Sequence, residues 1–358
     1  MRICDVTLEE LSTRPDETYT SEQYVEAGRA LDRLGVPLIQ FDDPGSGSID
    51  AETVRRLSED LSADGIVATD GLNGDADAAV EAGVDAIEVR VPVSTARIER
   101  TTHGSREAVF DAAERTVRRA ESAGCDVRLR LTDAFRAEIP AVAGAFGRFD
   151  CPIVLADSVG VRTPPFVAGF LRTLADASAD LTRAGVRFRD DLGCGTANAV
   201  VATETGIDRV DASVAGLGRG IGPTATEEIV VATAVAGGDP GVDPAETIPA
   251  CEAVLDAFGA SVPDGKPVLG ADATTRWATD ETDGIASDPE PFEPFAPAAF
   301  GGTRRLRFGE RTGRDDARRL IERAGGVPDR NAVEALLDRL ASEGPLGLEG
   351  ALELAGEV

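Results

Sequence analysis

A (β/α)8 barrel followed by a C-terminal extended and helical appendage is the fold class this chain predicts, and three observations predict it. A unit of helix, glycine and short branched strand recurs: LGVPLIQF at 34–41, AGVDAIEV at 82–89, AGCDVRLR at 123–130, AGVRFRDD at 184–191 and TGIDRVDA at 205–212. Each reads as a helix closed by a C-cap glycine and followed by a strand. Three strands without that punctuation, RICDV at 2–6, GIVA at 65–68 and PIVLA at 152–156, bring the set to eight, with helical patterns such as 105–124 and 165–180 between them. Eight βα units in about 235 residues close a barrel. An open doubly wound sheet is the competing arrangement, but its glycine fingerprint belongs after strand one, and DVTLEEL has no glycine.

The barrel is expected over 1–238. GGDPGVDP then changes the texture, and a helix near 245–259 with a Pro- and Asp-rich stretch makes 239–300 an extended linker subdomain. RDDARRLIERAGG and NAVEALLDRLASEG return to helical periodicity, so 301–358 reads as a small helical subdomain.

Asp plus Glu total 64 against 36 Lys plus Arg, a net charge of −28, and Lys266 is the single lysine. That balance excludes nucleic acid as a partner. The acids are spread over the whole chain rather than gathered in a tail, which points to a halophilic surface whose self-repulsion is screened by salt. Cys4, Cys125, Cys151, Cys194 and Cys251 are scattered, odd in number and without a C-x-x-C pair, so they read as reduced small hydrophobes in a cytoplasmic protein. No run of about 20 apolar residues calls for a membrane.

Chemistry in such barrels happens where strands end, which singles out Asp5, Glu9 and Glu10 after strand one and Arg90 after strand four. Thr132 and Arg136 follow strand five, Asp157 and Ser158 strand six, and Arg187, Arg189, Asp190 and Asp191 lie on and after strand seven. Alternation points Arg187 and Arg189 to one side. Two uses stay open for them, as for Arg90: a structural ion-pair cluster, or a grip on a ligand carboxylate. GLGRGIG at 216–222 reads as a tight turn, with a phosphate cradle as the other use. His103 reads as a solvated flank of a helix N-terminus, and Cys194 as packing, since no lone-pair base stands beside it.

Taken in order, DVTL at 5–8, AVEAGVDAIEV, LADSVGVRTP at 155–164 and GLGRGIG resemble the isopropylmalate, citramalate and homocitrate synthase family. GKPVLGADA, DGIASDPEPFEPF and FGERTGR at 308–314 extend the likeness through the appendage. That family condenses an acyl-CoA with a 2-oxo acid on a divalent metal, so the resemblance implies an acyltransferase class. It also implies a homodimer, because the matching post-barrel segment reaches over a neighbouring barrel.

The resemblance also shows what has changed. Glu9 and Glu10 stand where the family has an enolate-steadying arginine and a metal-binding aspartate, and Arg187 and Arg189 where it has two histidine ligands. Pro223 replaces an asparagine ligand, Thr132 a glutamate, Arg97 a loop histidine and Arg276 the appendage's catalytic histidine. Guanidinium has no lone pair to offer a hard cation. The expectation is therefore no metal and no cofactor, with Arg187 and Arg189 restoring the cation's charge beside Glu9, Glu10 and Asp190. The chain is read as a degenerate homologue acting as a ligand-binding or partner subunit, for a small carboxylate or an acyl-CoA. The alternative is a metal-independent acyltransferase or lyase on 2-oxo or hydroxy acids, with Glu10, Arg187 and Arg189 as its candidate catalytic residues.

Overall fold

The strands of the computed structural model run β1 (Arg2–Asp5), β2 (Leu38–Asp42), β3 (Asp64–Asp70), β4 (Ala86–Pro92), β5 (Asp126–Thr132), β6 (Ile153–Asp157), β7 (Ala184–Phe188) and β8 (Arg209–Ala212). Each is parallel to the next, and β1 pairs with β8, Cys4 opposite Asp211, so the sheet closes into the expected barrel. Residues 1–14, 17–44, 49–70, 76–102 and 104–358 are described, with backbone alone at 66–70 and 76–78; His103 lies outside them.

Parallel neighbours need a crossover, and helices supply it. Between β1 and β2 run α1 (Thr7–Ser12) and α2 (Ser21–Leu34), followed by α3 (Ala51–Asp60) and α4 (Ala76–Glu81) after the next two strands. Next come α5 (Thr95–Thr101) and α6 (Arg106–Ser122) after β4, then α7 (Ile139–Arg148), α8 (Pro164–Asp176), α9 (Gly195–Glu204) and α10 (Thr226–Val235), one after each remaining strand. Local sequence sets their starts: Thr20 and Gln23 form a reciprocal capping box on α2, and Asp50, Ser94 and Ser105 accept the first free N–H groups of α3, α5 and α6.

The glycine repeat works as expected at Gly35, Gly83, Gly124 and Gly206, whose φ values of 83°, 77°, 82° and 98° need a residue without Cβ. Gly185 departs from it. It lies inside β7, where a Cβ would sit 3.3 Å from the Arg209 side chain, so close packing rather than helix termination selects glycine there.

Packing divides the chain after Ser261, beyond the change of texture at 238, because α11 (Thr247–Ala257) packs on α2. The second unit, Val262–Val358, pairs β9 (Thr275–Trp277) with β10 (Arg305–Arg307) and continues into α12 (Arg314–Arg323), α13 (Arg330–Glu343) and α14 (Leu348–Ala355). Ala278 and Ile285, from the stretch read as linker, share one core with Phe308, Leu320, Leu336 and Leu354. The proline-rich stretch is thus part of a packed unit. Among the described residues no helix is long and apolar enough to cross a membrane.

Candidate functional site

Side chains two apart on a strand share a face, and paired positions on neighbouring strands share it too. Glu88 on β4 is registered with Arg128 on β5, Arg90 with Arg130, and Arg187 on β7 with Asp211 on β8. Glu88, Arg128, Arg130, Arg187 and Asp211 are buried, as is Gln40 on β2. A polar network therefore fills the inside of this barrel.

The DVTL turn closes that network from above. The Asp5 carboxylate accepts the Thr7 N–H at 2.9 Å and the Thr226 hydroxyl at 2.8 Å, while the Thr7 hydroxyl accepts the Val214 N–H at 2.8 Å. Those bonds pin the start of α1 to β1, to the turn after β8 and to α10, so Glu9 and Glu10 are carried over the barrel mouth. With no cation beside it, the buried Asp5 carboxyl is pushed up to about 6 by desolvation, against the pull of its hydrogen bonds.

Glu9 is the hub. Its Oε2 accepts from Arg187 Nη1 at 2.7 Å and Gln40 Nε2 at 3.0 Å, its Oε1 from Arg130 Nη2 at 2.8 Å, and Arg90 Nη1 stands 3.9 Å away. Arg187 also donates its Nη2 to Glu10. Below them Glu88 meets Arg130 Nε at 2.9 Å and Arg128 Nη2 at 2.7 Å, and Asp211 lies 3.6 Å from Arg128 and 3.9 Å from Arg187. Burial alone would raise the Glu9 carboxyl, but Arg130, Arg187 and Arg90 outweigh it and hold it well below the usual carboxylate range. Burial likewise opposes the charge of Arg187, and Glu9 and Glu10 reverse that, raising it well above its ordinary value.

Of the residues expected together, Glu9, Glu10, Arg90 and Arg187 meet, and Arg189 does not join them. Arg189 lies beyond the end of β7 and turns to Asp191, 2.8 Å from its Nε, and to the Arg219 carbonyl at 2.9 Å. Asp190 is not a partner of either arginine; its carboxylate accepts the Gly195 N–H at the start of α9, at 2.6 Å. Arg136 pairs with Asp133 at 2.7 Å and lies off the cavity, as does the enclosed Asp5. Thr132 and Ser158 do border it. Cys194, at 3.6 Å from the Leu192 carbonyl, is half-buried.

The cavity above the network is about 240 Å³, and its charged lining includes Glu10, Arg90, Arg97, Arg130, Arg187 and Arg219. GLGRGIG closes one side: a Cβ on Gly218 would fall 2.7 Å from Glu10 Oε2, so only glycine lets the turn lie against the cluster. Sequence reading missed Gln40, Glu88, Arg128, Arg130 and Asp211. The signal was in VRLRL at 127–131, where charge alternates with apolar residues on a barrel strand that would otherwise be apolar on both faces.

The model of the HMGL-like family matches residues 1–254. The chain belongs to the HMGL-like family. Among its relatives are a putative (R)-citramalate synthase of Methanopyrus kandleri, 29% identical across 100% of this chain and 72% of that one, and a homocitrate synthase of the same organism, 29% identical across 96% and 87%. A putative (R)-citramalate synthase of Methanosphaerula palustris is 30% identical across 97% and 70%. A solved HMG-CoA lyase of Bacillus subtilis shares the fold at a TM-score of 0.65 and 20% identity, over 73% of this chain and 95% of that one.

The divalent metal that the synthase resemblance implies does not fit this HMGL-like chain. At the matching positions Arg187, Arg189 and Pro223 offer no side-chain lone pair, and the Glu10 carboxylate is already bound by Arg187. Among the described residues no group of three or more His, Cys, Asp and Glu side chains could hold a metal ion.

Proposed function

We propose that this chain has given up metal-dependent condensation of an acyl-CoA with a 2-oxo acid and serves as a binding subunit for a small anionic ligand, a carboxylate or an acyl-CoA. One observation carries the reading: a single guanidinium, Arg187, bridges Glu9 and Glu10 at the mouth. A buried, doubly bound arginine supplies fixed positive charge without a Lewis acid's open coordination position. A cytoplasmic homodimer adapted to high salt belongs to the same proposal, and light scattering at molar potassium chloride tests the dimer.

A second reading is metal-independent acyl transfer or cleavage, favoured by Glu10 bordering the cavity beside Arg187. Enolate formation needs a base and an electrophile at the thioester carbonyl, and those two groups have the required chemistry. Thiol release from acetyl-CoA separates the readings. With pyruvate, 2-oxoisovalerate or 2-oxoglutarate as acceptor, the binding subunit releases none above the uncatalysed rate, with or without added manganese or zinc. Release lost in Glu10→Gln would replace the first reading with the second.

A further inference from the structure

We propose that the mouth cavity holds the phosphoryl group of a small phosphate compound, gripped by Arg97, Arg219 and the backbone of the turn 218–221. The inference rests on the metal-free, anion-binding reading and adds the chemical class of the ligand and the groups that hold it.

Six guanidinium groups line the cavity against three carboxylates, those of Glu9, Glu10 and Asp157. Four of the six are engaged: Arg130 and Arg187 in the buried network, Arg189 with Asp191, and Arg90 near Glu9 and Asp42 at 3.9 and 4.0 Å. The side chains of Arg97 and Arg219, both exposed, make no hydrogen bond or ion pair with any described residue. In a chain with 64 acidic residues, two arginines at the rim of one cavity without a carboxylate partner among the described residues leave a local positive field.

The turn adds a second, independent set of donors. The N–H groups of Gly218, Arg219, Gly220 and Ile221 have no acceptor among the described residues. Gly216, Gly220 and Gly222 take φ values of 71°, 70° and 83°, the left-handed conformation from which backbone anion nests are built. The same turn borders the cluster at Glu10 and offers its Arg219 carbonyl to Arg189. GLGRGIG, open in sequence between a tight turn and a phosphate cradle, thus combines N–H groups that no described residue uses with an arginine side chain that has no partner among the described residues.

Arg97 and Arg219, which both line the cavity, carry forked guanidinium groups that with the N–H groups of the adjoining turn suit one oxyanion centre with several lone pairs, which is phosphoryl rather than two separated carboxylates. Size limits the remainder of the ligand. The cavity of about 240 Å³ lies below the ~300–1,000 Å³ of pockets for drug-sized molecules, so its interior suits a small phosphate compound. The Arg187–Glu9–Arg130 cluster closes the floor, which keeps the bound charge at the rim.

Calorimetric titration of the full chain at pH 8, in the salt at which it is folded, tests this with inorganic phosphate, glycerol 3-phosphate, succinate and acetate. The expected result is one phosphate or phosphate ester per chain, bound at least about tenfold more tightly than succinate or acetate, a difference of ~1.4 kcal/mol. Arg97→Gln and Arg219→Gln should each weaken it about tenfold, while their melting temperatures stay at the wild-type value because neither side chain has a partner among the described residues. Tighter binding of the ester than of phosphate assigns the site to an organic phosphate, and equal binding to free phosphate. Succinate binding as tightly as phosphate, or a double variant that binds phosphate unchanged, overturns the proposal. That outcome leaves the metal-free reading standing, whereas metal uptake would remove both.

Discussion

Arg187 Nη1 lies 2.7 Å from Glu9 Oε2, and the two residues are 178 positions apart in sequence. The contact ties β7 to the helix that opens after β1, and it sits where the resemblance puts a metal. Around it the other charges are arranged in alternation, Arg130 on Glu9 and Glu88, Arg128 on Glu88 and Asp211.

Removing Arg187 should leave Glu10 without its described ion-pair partner and Glu9 with Arg130 as its one close cation. Arg187→Ala is expected to cost roughly 3–5 kcal/mol in denaturant unfolding, the range for breaking a buried pair. Adding Glu9→Gln should recover much of it, giving a coupling energy above about 1 kcal/mol. Arg189→Ala, whose partner is the partly exposed Asp191, should cost under about 1 kcal/mol. Coupling below about 0.5 kcal/mol between positions 9 and 187 would mean that the two charges are separately solvated.

Asp5 gives a pH dependence of known sign. Desolvation raises its folded-state carboxyl to about 6 from the ordinary 3.8, so between those values the native state binds the proton that the unfolded chain has released. The contribution is fully present below about 4 and is lost as pH rises through 6. Asp5→Asn should therefore gain on wild type as pH rises, by about 3 kcal/mol at pH 8 relative to pH 4, at 1.36 kcal/mol per unit. Glu9 acts in the opposite sense, since its depressed carboxyl keeps its contribution until pH falls below the ordinary carboxylate range. A difference between Asp5→Asn and wild type that does not change with pH would contradict the assignment.

Salt should stabilise the chain. With a net charge of −28, surface carboxylates repel one another until screened, so the melting temperature is expected to climb from low to molar potassium chloride. A flat or falling curve argues against a halophilic surface.

The barrel was legible because helix, glycine and strand repeat along the chain, and repetition survives errors at single elements. Gly185 shows the limit: the same A-G-V letters sit within a strand, because what selects glycine there is the Arg209 side chain, a contact 24 residues away that no local pattern records. The domain boundary drifted for a similar reason, since α11 belongs with α2 through packing rather than composition. At the site, alternation correctly turned Arg187 toward the mouth, but it was carried past the end of β7 to Arg189, where the backbone leaves the strand. The interior charges on β4, β5 and β8 were overlooked because each seems ordinary in its own strand. They make sense only once Glu88, Arg128 and Asp211 are brought within reach of one another by barrel closure.

Metal titration decides whether the barrel mouth is an ion-pair cluster or a metal centre. Chain freed of adventitious ions and titrated with zinc or manganese at pH 8, with elemental analysis after desalting, should retain well under one metal ion per chain, because Arg187 holds both glutamates and brings no lone pair. Retention of about one ion per chain, abolished by Glu10→Gln, would show that the carboxylates can release Arg187 and that the mouth is a metal centre after all.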